Sequence, residues 1–414
     1  MKKLIYFSII SSMIGASVIS ISIGAFQLSL FRGIVILMLL ISLLKLLSGK
    51  KLYVVKNKGN EFSIKVMFIW LLYAFFSLAW VKDYVGWLKA VFFIGIGFIT
   101  ILIFKEYIRD KNDILRSFHM IIPMIIFHNI LGWYEVTTGH FFFLSENKIS
   151  KYLRYGNPVS TFGNTNDFAV FLMFAFYILY ICLMNTDKII NKTIYMLTMC
   201  SSVGLILFTM SRASLIGLIL GFFVLTIYSL RKEKTRKFIL IILCSILLLL
   251  IFNANIIFNF FNNISNILVF DFLKQQGSEF VRINLIKNGF NFLVSTLGFG
   301  TGAGNIEYWM SHYGEYYTGV VYNIHNWWME ILVGYGLIVF TLYILFYLKL
   351  FMDMKKKYKL SNNPTDMSMS LGIMCILVGY IVASLSSSSN INAEWLWVFW
   401  AIVIVYQGME IDNA

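Results

Sequence analysis

The sequence predicts an all-α polytopic membrane protein with about twelve transmembrane helices and one large extracytoplasmic loop that carries short helices. Hydrophobic residues make up 59% of the 414 positions, charged residues only 13%, and the mean hydropathy is +0.77. These values lie outside the range of soluble domains. The apolar residues form runs of roughly 20 positions, the length that one helix needs to cross a bilayer. The chain is therefore expected to form a single integral membrane domain over residues 1–414.

Twelve apolar runs are expected to span the membrane. The first is expected to remain as a span, because no small-residue cleavage site precedes a soluble domain. The seventh and eighth are separated only by Ser211 and Arg212. Their combined length far exceeds one bilayer crossing, so a helical hairpin is expected there rather than one kinked pass. The runs are 4–24, 28–47, 62–80, 86–104, 115–134, 166–184, 193–210, 213–229, 238–258, 326–348, 370–388 and 394–409.

The placement of lysine and arginine predicts the orientation. With a cytoplasmic N-terminus, the inner segments carry 24 of the 34 basic residues. This agrees with the positive-inside rule and places both termini in the cytoplasm, with the 259–325 loop outside. The net charge of +14 therefore reflects membrane orientation and does not indicate nucleic-acid binding. All four cysteines lie in apolar runs without a CxxC pair, so neither disulfides nor cysteine metal sites are expected.

Several cationic residues are nevertheless expected on the outer side. Arg154, Arg212, Arg282 and His325 come from four separate parts of the chain. Arginine makes paired hydrogen bonds to phosphate oxygens, and a neutral imidazole accepts a proton near physiological pH. The set therefore indicates a site for a lipid pyrophosphate with His325 as a base. Taken singly, each arginine is equally consistent with interfacial snorkelling or ordinary loop charge. Taken alone, His325 is better explained as a helix-terminal histidine that hydrogen-bonds the backbone.

Other polar features of the outer side have simpler interpretations. The glycines at 298, 300, 302 and 304, followed by Asn305, are expected to form tight turns rather than an anion-binding nest. Segment 279–296 has helical spacing and predicts an amphipathic or re-entrant helix carrying Arg282. The polar patch 386–390 is equally consistent with sugar contacts and with small-residue packing. His312, Glu307 and Glu315 fit no common ligand spacing, so no metal site is predicted. His119 and His128 are expected to pack within the bundle.

Four motifs together resemble the O-antigen ligase and polysaccharide polymerase family. They are Arg154–Ala169 (RYGNPVSTFGNTNDFA), Thr209–Ser214 (TMSRAS), the outer-loop arginine with Leu297–Asn305 (LGFGTGAGN), and His325–Gly336 (HNWWMEILVGYG). The resemblance covers about residues 150–350. Thr165 replaces the proline that the family usually has between two asparagines. Glu330 lies one helical turn before Gly334, where the family often has an acidic residue, and either substitutes for it or has no role.

The resemblance implies a metal-independent glycosyltransferase of the bacterial cytoplasmic membrane. Its donor and acceptor are expected to be glycans linked to undecaprenyl pyrophosphate, with membrane lipid, a chain-length regulator and a flippase as further partners. No cofactor is needed, because the activated bond arrives with the lipid. His325 is expected to deprotonate the acceptor hydroxyl, and Arg282 and Arg212 to stabilise the departing pyrophosphate. The expected substrate-binding residues are Arg154, Asn164, Asn166, Asn305, Asn326 and Glu330.

The motifs leave the reaction open between polymerisation and ligation. The composition, rich in lysine, isoleucine and asparagine, indicates an AT-rich genome and slightly favours a polymerase. A flippase or another transporter also fits a basic multi-span chain. No internal repeat relates its halves, however, and charge concentrates at one face rather than at mid-membrane.

Overall fold

Helices dominate the structure. The computed structural model describes residues 1–24, 26–49, 58–144, 156–229, 278–387 and 390–411. Within these ranges there are thirteen α-helices, three short 3₁₀ turns and one antiparallel pair of strands. The prediction of an all-α polytopic membrane protein is confirmed.

The helices and strands are numbered in chain order. They are α1 (Lys2–Ile14), β1 (Ser20–Ile23), β2 (Phe26–Ser29), α2 (Leu30–Leu47), α3 (Glu61–Phe76), α4 (Tyr84–Tyr107), α5 (Lys111–Thr138), α6 (Thr165–Met184), α7 (Ile189–Phe208), α8 (Arg212–Ser229), α9 (Ser278–Ser295), α10 (Ile306–Tyr313), α11 (Trp327–Leu360), α12 (Pro364–Ala383) and α13 (Glu394–Gly408).

Nine of the twelve expected spans are helices that are long and apolar enough to cross a membrane, within the described ranges. The expected hairpin of spans seven and eight is confirmed, since α7 ends at Phe208 and α8 begins at Arg212. The last expected span is the shorter helix α13, which has 15 residues. The ninth expected span, 238–258, lies outside the described residues.

The prediction of a continuous first span over 4–24 is wrong. Helix α1 has only 13 residues and ends at Ile14, because the next residue, Gly15, has a φ of 79° that leaves the helical region. A short hairpin follows, in which Ser20 pairs with Ser29 and Ile23 with Phe26. The alternating serines and isoleucines of β1 have the two-residue period of a strand, which overall hydropathy does not detect.

Helix α6 forms the centre of the bundle, with 16 of its 20 residues buried. Phe174 makes edge-to-face contacts with Tyr380 of α12 and with Phe399 of α13. Helices α8 and α12 approach closely at Gly217 and Gly379, where an added Cβ on either glycine would meet the other's carbonyl oxygen. Small residues at such crossings allow close helix packing in membranes.

Helix α11 is interrupted at Gly336, which has φ 73° and ψ −179°. The break leaves some backbone N–H and C=O groups of α11 without helical partners. The glycine loop 297–305 provides hydrogen-bond partners for these groups. Thr301 N donates to Val333 O at 2.8 Å, and Leu337 N donates to Gly298 O at 2.9 Å. All four glycines of this loop have positive φ. The predicted tight turns are confirmed, and they join the loop to the break in α11.

Helix α9 confirms the helix expected over 279–296. Leu285 and Phe292 are buried in a small cluster with Met310 of α10 and Val333 of α11. Asn288 fixes the helix to the following segment, since its side chain donates to Tyr316 O at 2.9 Å and accepts from the backbone N–H of the same residue at 2.8 Å. This packing determines where α9 presents Arg282.

Candidate active site

Arg212, Arg282 and His325 line one cavity of about 630 Å³. Each of the three residues is half-buried, so each lies at the boundary between protein and cavity. The cavity receives residues from the segment before α6 and the start of that helix, the α7–α8 turn, helix α9, the segment before α11 and the end of α12. Its other lining residues are Asn157, Thr165, Asn166, Thr209, Met210, Ala213, Ile216, Ile283, Ile286, Ile324, Asn326, Val382, Leu385 and Ser386.

The N-terminal ends of three helices lie at this cavity. Thr165 begins α6, Arg212 begins α8, and Asn326 is the N-cap of α11. A helix N-terminus carries roughly half a positive charge and presents backbone N–H groups without helical partners. Together with the two arginine side chains, the three ends make the cavity suited to an anion such as a phosphate group.

The α7–α8 turn holds Arg212 through a strained backbone. Met210 has a φ of 58°, and its N–H donates to Leu207 O at 3.1 Å. Ser211 Oγ donates to Ser214 Oγ at 3.1 Å, and Ser211 O accepts the N–H of Leu215. The turn therefore ends α7 and starts α8 within three residues, which leaves Arg212 little freedom of position.

His325 also has a left-handed backbone, with a φ of 47°. Its N–H donates to Asn323 Oδ1 at 2.9 Å, and the next residue, Asn326, accepts the N–H of Met329 at 3.2 Å as the cap of α11. Four non-glycine residues in the described part of the chain have positive φ, and two of them, Met210 and His325, line this cavity. Such backbone strain is enriched at functional sites.

Helix α5 fixes the segment before α6. Glu135 Oε2 accepts the N–H groups of Val159 and Ser160, both at 2.8 Å. The ring of His128 bonds through Nδ1 to Ser160 Oγ at 2.8 Å and through Nε2 to Met13 O at 2.9 Å. These contacts support the prediction that His128 packs within the bundle. Sequence reasoning gave no role to Glu135, because a single acidic residue near a helix end has no distinguishing pattern.

The two asparagines at the start of α6 have different surroundings. Asn166 lines the cavity, as expected for a substrate contact. Asn164 is the N-cap, and its Oδ1 accepts the N–H of Asn166 at 2.8 Å. Asn157, which also lines the cavity, was missed because it belongs to a stretch rich in asparagine and serine. Arg154 lies outside the described residues.

Asn305 and Glu330 are not among the residues that line the cavity. Asn305 is fully buried, and its Oδ1 accepts the N–H groups of Lys82 and Asp83 at 2.8 and 2.7 Å. Its Nδ2 donates to the carbonyl oxygens of Asp83 and Ala303. Glu330 is buried in the first turn of α11. The structure thus gives Asn305 a position that joins the glycine loop to the start of α4, outside the lining of the arginine and histidine cavity.

The three residues considered for a metal have other contacts. Glu307 accepts a hydrogen bond from Asn323, Glu315 accepts one from Asn291, and His312 stacks on Tyr308 with ring centres 4.1 Å apart. Among the described residues, no group of three His, Cys, Asp or Glu side chains is placed to hold a metal ion.

Two comparisons with known proteins identify similar sequences. A family model described as O-antigen ligase matches residues 195–344, which include Arg212, Arg282 and His325. The chain is 30% identical over 337 residues to the teichuronic acid biosynthesis protein TuaE of Bacillus subtilis (strain 168). That similarity covers 81% of this chain and 69% of the relative.

Proposed function

Because the chain belongs to the O-antigen ligase family, we propose that it polymerises undecaprenyl-pyrophosphate-linked oligosaccharide repeat units into a surface polysaccharide. Membership of this family gives it a role in polysaccharide biosynthesis as a multi-pass membrane protein. The observation that carries the proposal is the shared cavity of Arg212, Arg282 and His325. The repeat-unit donor and the acceptor both arrive on membrane lipid.

The proposed reaction is a glycosyl transfer at the anomeric carbon of the donor. His325 accepts the proton of an acceptor hydroxyl, the hydroxyl oxygen forms a bond to that carbon, and the bond from the carbon to the pyrophosphate oxygen breaks. The pyrophosphate leaves with the bonding electrons, and Arg212 and Arg282 stabilise its charge. The N-terminal ends of α6, α8 and α11 add positive potential at the same place. Asn157, Asn166 and Asn326 supply polar contacts for the sugars.

Polymerisation is favoured over ligation by the name of the relative. TuaE is described as a teichuronic acid biosynthesis protein, a name that includes no transfer of a finished glycan to a separate acceptor. The family description, O-antigen ligase, keeps transfer of the glycan to a different acceptor as the second candidate. Both reactions use the same donor and leaving group, so the cavity serves either one.

The direct test is reconstitution of the purified protein with its lipid-linked repeat unit. A polymerase extends one lipid-linked unit with another and gives a ladder of products on a gel. A ligase gives a ladder only if preformed chains are supplied, and it requires a second acceptor. Absence of any glycan transfer from the lipid-linked donor, with protein that is folded and monodisperse, would contradict the proposal.

The proposed orientation places both termini in the cytoplasm and the cavity outside. Its support is the excess of lysine and arginine in the segments assigned to the inner side. In a chain with all four cysteines replaced, an impermeant thiol reagent is expected to label Val320→Cys in intact cells, because Val320 is 88% exposed. It is not expected to label a cysteine at position 234. The reverse pattern would invert the topology.

A further inference from the structure

A second cavity, of about 400 Å³, is present in the described part of the chain. Its wall is formed by the segment around the β1–β2 hairpin, helix α4, the start of α6 with the residues before it, and the start of α13. Its volume falls within the range of roughly 300–1,000 Å³ that is usual for small-molecule sites. The residues that matter for its chemistry are Arg32, Lys89, Thr161, Asp167 and Glu394.

A buried ion pair forms one wall of this second cavity. Arg32 Nε lies 2.8 Å from Glu394 Oε1, and the two side chains are only 5% and 6% exposed. Ser29 Oγ donates to the same carboxylate oxygen at 2.5 Å, and the Arg32 guanidinium lies 4.4 Å from the ring centre of Phe93. Neighbouring groups thus fix both members of the pair, so the wall presents charged groups in a set position.

The other carboxylate oxygen of Glu394, Oε2, is buried and accepts no hydrogen bond from the described residues. A buried acceptor without a donor is costly, so most such groups in proteins are satisfied by protein, water or ligand. A ligand that carries hydroxyl donors is suited to satisfy it. The same cavity has aromatic walls, formed by Phe93, Phe162 and Trp395. Apolar walls with a few placed polar groups are typical of sites that recognise small ligands.

Two segments of the chain contribute to both cavities. The first turn of α6 supplies Asn166 to the first cavity and the adjacent residue, Asp167, to the second. The segment from the end of α12 to the start of α13 supplies Ser386 to the first cavity and Glu394 to the second. Asn166 and Asp167 are consecutive residues, and consecutive Cα atoms lie about 3.8 Å apart. At this point, therefore, only the first turn of α6 separates the two cavities. An extended ligand that crosses this turn contacts both cavities.

We propose that the second cavity binds a saccharide unit of the acceptor glycan, next to the arginine and histidine cavity where the bond is formed. This inference rests on the proposed function for its choice of ligand. The ionisable groups of the lining are balanced, with Arg32 and Lys89 opposing Asp167 and Glu394. Such a wall suits a hydroxyl-rich sugar and excludes a polyprenyl tail, because burying these charges against hydrocarbon is unfavourable.

Filling the cavity tests the proposal. Ala16 lines the second cavity and is half-buried, so Ala16→Trp adds volume there without overpacking the bundle core. The matched control is Ile21→Trp, which places the same side chain on the same hairpin segment at a residue that is 68% exposed. Lys89→Ala is a second cavity variant that removes a side chain rather than adding one.

The measurement is the Kd of a soluble oligosaccharide for the purified full-length protein. The probe is a fragment of one to three repeat units, released by mild acid from the surface polysaccharide of the producing strain. We expect Ala16→Trp to weaken binding at least about tenfold and Lys89→Ala about threefold or more. Ile21→Trp is expected to bind within about twofold of the unchanged chain, because its side chain does not line the cavity.

The outcomes separate this proposal from the proposed function. Polymer formation together with unchanged sugar binding in Ala16→Trp would overturn the second site and leave the polymerase intact. Failure of the unchanged chain to bind the oligosaccharide would also overturn the second site. Sugar binding that Ala16→Trp weakens, without any transfer from lipid-linked donor, would support the site and contradict the proposed function.

Discussion

The arginine and histidine cavity and the glycine loop 297–305 differ in what their polar groups contact. In the loop, Asn305 is fully buried, and four hydrogen bonds join its side chain to backbone groups. In the cavity, Arg212, Arg282 and His325 are half-buried and line open space. Both regions contain left-handed backbone. The two regions differ in that the polar side chain of the loop hydrogen-bonds to backbone groups, whereas the polar side chains of the other region line a cavity.

The histidines give the same contrast within one residue type. His128 is fully buried, and both ring nitrogens contact protein oxygens at 2.8 and 2.9 Å. His325 lines the cavity from a left-handed position. An imidazole whose two nitrogens are already bonded inside the bundle is poorly placed to accept a substrate proton. The comparison therefore predicts that cavity residues govern activity, whereas loop residues govern stability.

The largest expected effect is that of His325→Ala. Losing a general base lowers the rate by roughly a hundred- to ten-thousand-fold, so long-chain product should disappear while the protein remains in the membrane. Polymer length on a gel, read beside membrane abundance, measures both. His312→Ala is the matched control, because His312 is exposed and stacks on Tyr308 without lining the cavity. Normal polymer from well-expressed His325→Ala protein would remove this histidine from the mechanism.

A smaller loss is expected from Arg212→Lys and Arg282→Lys. Lysine keeps the positive charge but lacks the planar fork that binds two phosphate oxygens, and loss of a transition-state donor costs about a hundredfold in rate. The measurement is the initial rate of transfer from lipid-linked donor at saturating concentration. Arg116→Lys is the control, since the Arg116 side chain is 66% exposed on α5. Equal rates for all three variants would show that charge alone suffices.

Asn305→Ala tests the other half of the comparison. The change removes the Asn305 side chain from the backbone N–H groups of Lys82 and Asp83 and from the carbonyl oxygens of Asp83 and Ala303, of which Asp83 O keeps the N–H of Trp87. We expect the free energy of unfolding to fall by roughly 2–4 kcal/mol, with a lower Tm and lower membrane abundance. The rate per folded molecule should stay within about threefold of the unchanged chain. A large loss of rate at an unchanged Tm would contradict this structural role and indicate that Asn305 acts in the active site.

The smallest expected effect is that of removing divalent metal. If arginines and helix ends stabilise the pyrophosphate, EDTA should leave the rate within about twofold. The assay compares purified protein before and after chelation, and then after addition of magnesium or manganese. Activity that is lost in EDTA and restored by either ion would show that a metal performs part of the work assigned to Arg212 and Arg282.

Much of the fold was accessible from local pattern. The helical spacing of 279–296 predicted α9, and Ser211-Arg212 correctly marked the turn between α7 and α8. Hydropathy alone did not predict the length of helix α11. The expected span ended at residue 348, but the helix continues to Leu360. The extra turns contain strong helix formers and a Lys349–Asp353 ion pair of 3.1 Å, which favour a helix without being apolar.

The sequence by itself determined the class of the protein, most of its spans and the chemical character of its candidate site. These follow from local sums of hydropathy and from the functional groups of single side chains, both of which can be read from residue types alone. Only the tertiary structure decided which polar residues share a space. Arg212, Arg282 and His325 line one cavity, whereas Asn305 turns to the start of α4. The reason is physical: the direction of a side chain depends on helix packing and on which backbone groups remain unpaired, and both arise from contacts between distant parts of the chain.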